Sequence, residues 1–425
     1  MAKQSTLIPM IIIGILFFIF GFVTWLNGSL IPFLKVICDL NDFQALFVTF
    51  AFYIAYTVMA FPMSFVLDKL GYKNGMAIGL AVMVVGSLVF IPAAQSASFT
   101  LFLIALFTLG TGLTILQTAS NPYIVLVGPM ESAAMRISIM GLINKGAGVL
   151  VPLLFTALIL GDFGSMQDLS QEAKATLAQR LITPYIIMAI VLTGLIALVK
   201  FSSLPELEFE TNEEDDAKSI FQFPRVVLGA VALFFYVGIE VIAGDTIGLY
   251  GQYLGLENST VLTSYTMSFM VMGYLVGILL IPKFISQEKA LIWSAIFGIL
   301  FLFGVVFSSA DSHFVSKMLW GATGIQTLPD TITFVALLGF ANALVWPTIW
   351  PLALEGLGKH TAKGSALLIM AIAGGAILPL IFGKISFISG DMQSTYMLGI
   401  ISYVFILLYA LRWHRIVSWK HIDKP

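Results

Sequence analysis

The stretch LGTGLTILQTASNPYIVLVGPMESAAMRISIMGLINKGAGVLVP, residues 109–152, decides the fold class. It contains two apolar helices joined by the hydrophilic turn GPMESAAMR. Gln117 and Asn121 are four residues apart and therefore share a helix face. Lys145 lies about 14 Å along the helix from Arg136 at roughly 1.5 Å per residue, near the middle of a hydrocarbon core about 30 Å thick. Polar groups at that depth are costly unless they face a cavity or a partner, so the stretch predicts membrane helices that line a polar site.

The composition of the whole chain is typical of a membrane protein. Of 425 residues, 59% are hydrophobic and 10% are charged, against about 25% charged in ordinary soluble domains. Apolar runs of about 20 residues recur along the chain, which favours transmembrane helices over two or three soluble domains. The net charge of −2 gives no reason to expect nucleic-acid binding. The expected class is an all-α membrane protein.

Metal, disulfide and enzyme chemistry find little support in the sequence. The single Cys38 excludes an intramolecular disulfide and a cysteine-cluster metal site. The four histidines fall in predicted loops or in the tail, and the spans hold no nucleophile–base set. We therefore expect no enzyme activity, no cofactor and no metal beyond a coupling Na⁺. The N-terminus has no small-residue cleavage site, which favours a retained first helix over a signal peptide.

Twelve spans are predicted, six on each side of an acidic segment at residues 204–224. A charge run of this kind is usually a solvated linker. The predicted organisation is an N-terminal bundle at 1–203, this linker, and a C-terminal bundle with a short tail at 225–425. The predicted span limits are 7–34, 44–67, 74–94, 100–126, 136–160, 181–203, 225–253, 260–282, 289–309, 331–354, 364–388 and 393–415.

The positions of Lys and Arg predict the orientation of the chain. These residues concentrate in the segments that are cytoplasmic when both termini are inside, as the positive-inside rule requires. The short turns at 64–75 and 280–290 are both basic and occupy corresponding places in the two halves. This correspondence is typical of parallel six-helix repeats related by pseudo-two-fold symmetry. We expect a multi-pass protein of a bacterial inner membrane with both termini in the cytoplasm.

The basic residues near the first of these turns are candidates for gating. Asp68, Lys69 and Lys73 lie where the second helix ends, and Arg136 marks the same water boundary before the fifth. Charges at helix ends can form a latch that breaks and reforms as two bundles rock. The other interpretation is a basic turn that only sets topology.

Ionisable residues within the spans are few. Lys145 lies in the fifth span, and the seventh contains Glu240, inside the bilayer, and Asp245, which depth along the helix places near the outer mouth. Lys145 and Glu240 belong to different halves, so an ion pair between them would couple the halves. The other interpretation is that Glu240 hydrogen-bonds to helix backbone or to Ser and Thr neighbours. These three residues are the candidates for ion coupling.

Buried amides and aromatic rings suggest a sugar as substrate. An amide offers both donors and acceptors to a hydroxyl and costs less to dehydrate than a charge. Trp346 and Trp350 lie four apart, each followed by proline, which predicts a broken tenth helix. An indole face suits a pyranose ring, and Tyr236 is a second candidate wall. Helix–helix packing is the competing interpretation for each residue. The candidate amides are Asn27, Gln117, Asn121, Asn144 and Asn342.

Several motifs resemble a known family. The turn DKLGYK, residues 68–73, is similar to the loop signature of the major facilitator superfamily, although Ser64 replaces its usual first glycine. Other segments resemble the fucose–galactose–glucose cation symporter family, and within it the glucose/galactose and N-acetylglucosamine permeases. These segments are WLNGSLIPFLK (25–35), LQTASNPY (116–123), NKGAG (144–148), FYVGIEV (235–241) and the stretch 346–379.

The resemblance implies a twelve-helix, two-bundle fold, a functional monomer, and uptake of a neutral hexose or related sugar. Three residues depart from the family pattern. Gly28 and Gln117 stand where fucose-type members carry acids associated with proton coupling and sugar recognition, and Lys145 replaces a small residue. Coupling is then expected through Glu240, through sodium held by oxygen ligands, or not at all.

The function expected is a secondary active sugar transporter. It would take up a hexose or N-acetylhexosamine with Na⁺ or H⁺ by alternating access. The other functions weighed are a permease for another polar or anionic solute with Lys145 as counter-charge, a sugar uniporter, and a sugar sensor.

Overall fold

The computed structural model describes residues 7–126, 133–161, 169–205, 219–281, 283–357 and 360–419. The described residues form α-helices joined by short 3₁₀ and π turns, and no strand occurs among them. Twelve segments of this described part are long and apolar enough to cross a membrane, which confirms the predicted all-α class. We number them in chain order as the first to the twelfth span. They are Leu7–Ile37, Asp42–Ala60, Tyr72–Ser96, Phe99–Asn121, Met135–Leu160, Gln171–Phe201, Pro224–Asp245, Ser259–Leu280, Gln287–Phe307, Asp330–Leu354, Lys363–Ser389 and Met392–Arg415.

The N-terminal half, residues 7–205, ends in the sixth span, which begins with a short helix at Gln171–Gln179. The fifth span finishes in a π turn at Thr156–Leu160. The other α-helices of this half are Leu7–Trp25, Asn27–Ile37, Asp42–Ala45, Phe47–Leu70, Tyr72–Ser96, Phe99–Leu126, Ala133–Phe155 and Ile182–Phe201.

The C-terminal half, residues 219–419, begins with a 3₁₀ turn at Ile220–Gln222. Residues 206–218, most of the predicted acidic linker, lie outside the described residues. The α-helices of this half are Pro224–Asp245, Ile247–Tyr253, Leu262–Leu280, Gln287–Phe307, Phe314–Trp320, Asp330–Asn342, Val345–Leu354, Thr361–Met370, Gly374–Ser389, Met392–Thr395 and Gly399–Leu411.

The first and seventh spans are each broken, although the sequence predicted them as continuous helices over 7–34 and 225–253. The first breaks at Leu26. The seventh is followed, after Thr246, by the helix Ile247–Tyr253, which we count as its second part from here on. No proline lies at either break, so the usual sequence signal is missing. At Thr246 the side-chain hydroxyl donates to the carbonyl oxygen of Ile242 at 2.6 Å, a contact that bends helices.

The tenth span is broken as its prolines predict, but at a different residue. The first helix ends at Asn342 and the second begins at Val345. Pro347 therefore lies in the first turn of the second helix, where a missing backbone N–H costs little. The break places Asn342 and Trp346 at adjoining helix ends inside the membrane.

Hydrogen bonds join the two halves at one end of the molecule. We call the end with residues 202–205 and 219–224 the linker end and the opposite one, with residues 38–41, the distal end. Spans one and five meet spans seven and eight there, so the distal end is closed. The bonds run from Ser29 Oγ to Thr260 O (2.8 Å), between Thr156 and Thr260 hydroxyls (2.7 Å), from Ser264 Oγ to Val149 O (2.7 Å) and from Gln252 Nε2 to Pro32 O (2.9 Å).

Candidate functional site

A buried ion pair bridges the two halves inside the membrane. Lys145 of the fifth span places its Nζ atom 2.6 Å from Oε1 of Glu240 on the seventh span. The two residues are 8% and 7% exposed. In so apolar a setting each charge needs the other, because an unpaired buried charge is very costly. The pairing that the sequence left open is therefore present, and it links the halves directly.

Trp25 and Asn144 surround the ammonium group of Lys145. The Nζ atom lies 4.3 Å from the centroid of the Trp25 ring, within the range of a cation–π contact. Trp25 Nε1 donates to Asn144 Oδ1 at 3.3 Å, and Asn144 Nδ2 donates to Phe17 O at 3.4 Å. Sequence reasoning missed Trp25, although it opens the WLNG segment beside Asn27.

The fourth span presents its amides beside a pair of buried tyrosines. Gln117 is half-buried, and its Nε2 atom donates to the hydroxyl of Tyr56 at 2.9 Å. The rings of Tyr53 and Tyr56 stack with centroids 6.2 Å apart. Asn121, one helical turn beyond Gln117, is also half-buried. These groups form a polar wall that donors and acceptors of a hydroxylated ligand can meet.

An aromatic wall lies on the C-terminal half. Trp346 and Trp350 stack with ring centroids 5.2 Å apart at 27°, and Tyr236 lies 6.4 Å from Trp346. Trp346 is half-buried and Trp350 is 8% exposed, so Trp346 is the more accessible ring. Asn342 is fully buried, and its Oδ1 atom accepts a hydrogen bond from Tyr403 at 2.9 Å. Its Nδ2 atom has no hydrogen-bond partner among the described residues.

The breaks of the first and seventh spans pack against each other. A Cβ atom on Gly28 would lie 3.0 Å from the carbonyl oxygen of Gly244 and 2.1 Å from Thr263 Oγ1. Thr263 and Thr266 of the eighth span donate to the carbonyl oxygens of Gly244 (2.7 Å) and Ala243 (3.1 Å). Carbonyls freed by a broken helix are thus satisfied inside the protein.

Asn27 and Asp245 flank this contact, and both are fully buried. Neither has a hydrogen bond to its side-chain oxygen atoms in the described part of the chain, and the Asn27 Nδ2 atom has none either. The sequence placed Asp245 near the outer mouth by depth; in this structure, whose distal end is closed, its side chain is fully buried. Its helix stops at Asp245, and the chain continues after Thr246 into the helix Ile247–Tyr253.

The gating candidates contact neighbouring spans of their own half. Lys73 Nζ donates to the carbonyl oxygen of Ser202 at 2.7 Å. Arg136 Nε donates to the carbonyl oxygen of Ile124 at 2.7 Å. Lys69 is exposed at the end of the helix Phe47–Leu70, and the side chain of Asp68 lies outside the described residues. The structure thus places these groups at the linker end.

The comparisons with known proteins identify the family. A family model described as Major Facilitator Superfamily matches residues 13–379. The chain belongs to this superfamily. It is 33% identical over 405 residues to a glucose/galactose transporter of Brucella abortus, covering 93% of this chain and 92% of that one. It is 32% identical over 428 residues to a putative glucose/galactose transporter of Helicobacter pylori, covering 98% and 99%.

A solved structure supports the same fold. The crystal structure of the E. coli fucose:proton symporter matches with a TM-score of 0.73 at 23% identity, over 97% of this chain and 100% of that chain. The fold is therefore the superfamily's two six-helix bundles related by pseudo-two-fold symmetry. The chain belongs to the fucose–galactose–glucose cation symporter family, as its motifs predicted.

Proposed function

We propose that this protein is a secondary active transporter that takes up a neutral hexose or N-acetylhexosamine. The observation that carries this proposal is the Lys145–Glu240 pair, which joins the two halves at 2.6 Å in the membrane interior. Ionisable groups within a membrane mark substrate or ion pathways. Sites at the interface between two repeats are typical of transporters that work by alternating access.

The residues around this pair favour a neutral sugar. Gln117, Asn121 and Asn144 supply amides from one half, and the half-buried Trp346 with Tyr236 supplies aromatic faces from the other. Relatives of this chain are named for glucose and galactose. Amides match hydroxyl groups without a net charge. An anionic solute is the weaker candidate, because Glu240 already neutralises Lys145.

The closed distal end supports alternating access. The halves are joined there by Ser29, Thr156, Thr260 and Ser264. Gln117, Asn121 and Asn144 are half-buried on the linker side of this contact. A substrate would leave toward the linker end in this conformation. The positive-inside rule makes that end cytoplasmic, with both termini there, in a bacterial inner membrane.

Uptake by purified protein in proteoliposomes tests the proposal. Labelled glucose, galactose and N-acetylglucosamine are each supplied under an inward sodium gradient, an inward proton gradient, or neither. We expect accumulation of at least one sugar above its outside concentration under one of the two gradients. Equilibration without a gradient would make the protein a uniporter. Uptake of none of the sugars, or uptake of anions that neutral sugars do not inhibit, would refute the proposal.

A functional monomer is part of the same proposal, since each chain holds both halves of the site. Reconstitution at less than one chain per vesicle measures this directly. Transport activity should then follow the fraction of vesicles that contain one chain. A dependence on the square of the protein density would contradict it.

A further inference from the structure

We propose that Asp245 is the residue that carries the coupling proton, in place of the acids that Gly28 and Gln117 replace. This inference rests on the proposed sugar transport and names its coupling ion. It assigns the proton to a residue on the seventh span rather than on the first or fourth.

The first argument is that Asp245 is buried without a hydrogen-bond partner. It is 0% exposed, and neither carboxyl oxygen has a partner within the described residues. The hydroxyl of Thr49 on the second span faces this carboxyl, is also buried, and is likewise unpartnered at hydrogen-bonding distance. An ionised carboxylate in such a place is very costly, whereas a carboxylic acid is not.

The second argument concerns charge balance. The titratable groups that act on Asp245 are Glu240 of its own span, Lys145 of the fifth span and Tyr53 of the second. Lys145 forms an ion pair with Glu240, with Nζ 2.6 Å from Oε1. Two carboxylates then share one ammonium group, and the cluster is neutral only when Asp245 holds a proton. A neutral cluster is the one that can be buried between closed halves.

The remaining elements packed on this region contribute hydroxyl groups. Thr263 and Thr266 of the eighth span donate to carbonyl oxygens of Gly244 and Ala243. Tyr396, at the twelfth span, shares a hydrogen bond with Thr246 at 3.1 Å, one residue beyond Asp245. These hydroxyls form hydrogen bonds with backbone carbonyls or with Thr246, and none supplies a counter-charge to Asp245.

The third argument is the position of Asp245 at a contact that must open. It ends the first helix of the seventh span, where Gly244 packs on Gly28 of the other half. Separation of the halves at the distal end would expose the carboxyl to water. An O–H bond then forms between a carboxylate oxygen and a proton from hydronium on that side, releasing water. In the conformation of this structure the carboxyl is enclosed. A further movement that admits water from the linker end lets the same O–H bond break, and the proton passes to that water.

The test compares Asp245→Asn with wild-type protein in proteoliposomes. The amide mimics the neutral acid but cannot release a proton. We expect the variant to exchange labelled sugar for unlabelled sugar across the vesicle wall, while its proton-driven accumulation ratio falls to one. Wild-type protein should also alkalinise a weakly buffered exterior when sugar is added, and the variant should not.

Asp391→Asn is the matched control, because it makes the same chemical change in a distal loop outside the spans. Asp391 caps a helix by accepting from Ser394 N at 3.1 Å, and asparagine caps helices equally well. This variant should accumulate sugar and alkalinise the medium like wild type.

Proton-driven accumulation by Asp245→Asn at the wild-type level would overturn the inference. Sodium-driven accumulation by wild type, with no response to protons, would also overturn it while leaving sugar transport intact.

A second measurement covers the case in which Asp245→Asn transports nothing. Sugar affinity of the purified proteins is measured across pH in detergent. If sugar and one proton bind together, the wild-type Kd rises by up to about tenfold per pH unit above the titration point, by linkage. A Kd independent of pH in Asp245→Asn would support the inference. An unchanged pH dependence in the variant would refute it. If wild type transports and binds no sugar, the proposed function itself fails.

Discussion

The first and seventh spans have the same shape but different chemistry. Each is a helix broken inside the membrane, and the two breaks touch at Gly28 and Gly244. The first span carries the uncharged Asn27 at its break. Its charged residue, Lys35, lies near its distal end and pairs with Asp42. The seventh span carries Glu240 and Asp245 in its buried part. Of these two broken helices, the seventh span alone therefore contributes buried ionisable side chains to the contact between the halves.

The largest effect is expected when the charges of the seventh span lose their partner. Lys145→Met leaves Glu240 buried without its counter-charge, which costs about 3–5 kcal/mol for a buried pair. We expect a large fall in thermal stability in detergent, and recovery in the double variant Lys145→Met with Glu240→Gln. Thermal unfolding followed by scattering or fluorescence measures both.

The exposed pair between Lys174 and Asp39 provides the control for that cycle. Lys174→Met removes an ammonium group from a pair at the molecular surface, and such pairs contribute little. Its unfolding temperature should fall far less than that of Lys145→Met. A double variant as unstable as Lys145→Met alone would contradict the pairing as the cause.

The next effect tests how much space the break of the first span allows for a side chain at Gly28. Any side chain at Gly28 meets Thr263 Oγ1 and the carbonyl oxygen of Gly244 in the closed distal end. Overpacking of this kind costs about 1–3 kcal/mol, so Gly28→Ala should lower the initial rate of sugar uptake by roughly 5- to 150-fold. Gly28→Asp, which places a larger and acidic side chain there, should be at least as impaired.

Gly194→Ala is the matched control for Gly28. No atom lies within 4 Å of a Cβ added there, and alanine favours a helix more than glycine does. Its uptake rate should equal that of wild type. Wild-type uptake by Gly28→Ala would mean that the two breaks do not need to meet during transport.

A smaller effect concerns sugar recognition by the fourth span. Gln117→Ala removes the amide that bonds to Tyr56, and the net value of one such hydrogen bond is about 0.5–1.5 kcal/mol. Because we propose that Gln117 also binds sugar, its replacement removes two or more such hydrogen bonds. We expect the sugar Kd to rise by roughly tenfold or more, with little change in unfolding temperature. Isothermal titration of the purified wild type and variant gives the sugar Kd of each, and their ratio gives the loss of affinity.

Tyr56→Phe separates the two roles of Gln117. It removes the bond at 2.9 Å and leaves the amide in place. Its Kd should rise less than that of Gln117→Ala. An unchanged sugar Kd in Gln117→Ala would exclude this amide from recognition.

The smallest effect belongs to the exposed end of the first span. The hydrogen bond from Lys174, and then that from Gln171, holds the pKa of Asp39 below its usual value of 3.8. A lowered pKa means that ionised Asp39 stabilises the fold above pH 3.8, and that this contribution is lost as the pH falls through the lower folded-state value. The unfolding temperature of Asp39→Asn should differ from wild type near neutral pH and converge with it in strong acid.

Backbone strain does not contribute to the difference between Asp39→Asn and wild type. Asp39 has a positive φ of 52°, and asparagine adopts this left-handed conformation readily. A constant difference in unfolding temperature from neutral to strongly acidic pH would contradict the role of the carboxylate.

The sequence predicted the spans well because hydrophobic length is a strong signal in a membrane protein. It missed the breaks at Leu26 and Thr246, because no proline marks either position. Depth along a helix placed Lys145 and Glu240 at the membrane interior but did not give their rotation about the helix axis. Their pairing at 2.6 Å needed the three-dimensional packing.

For the candidate site, too, the sequence indicates single residues but not their partners. Polar amides such as Gln117 are unusual in apolar spans and can be recognised from the sequence alone. Their partners Tyr56 and Trp25 cannot, because tyrosine and tryptophan are also common in ordinary packing. Counting residues placed Asp245 near the outer mouth by depth, but only the packed structure shows that its side chain is fully buried.

The contact between Trp25 and Lys145 gives this protein an internal optical probe. The indole ring lies 4.3 Å from a positive charge whose counter-ion belongs to the other half. Emission of an indole depends on the electric field across the ring, so movement of that charge changes its wavelength. A variant that keeps Trp25 and replaces the other six tryptophans with phenylalanine would report the charge pair during turnover, without an attached dye.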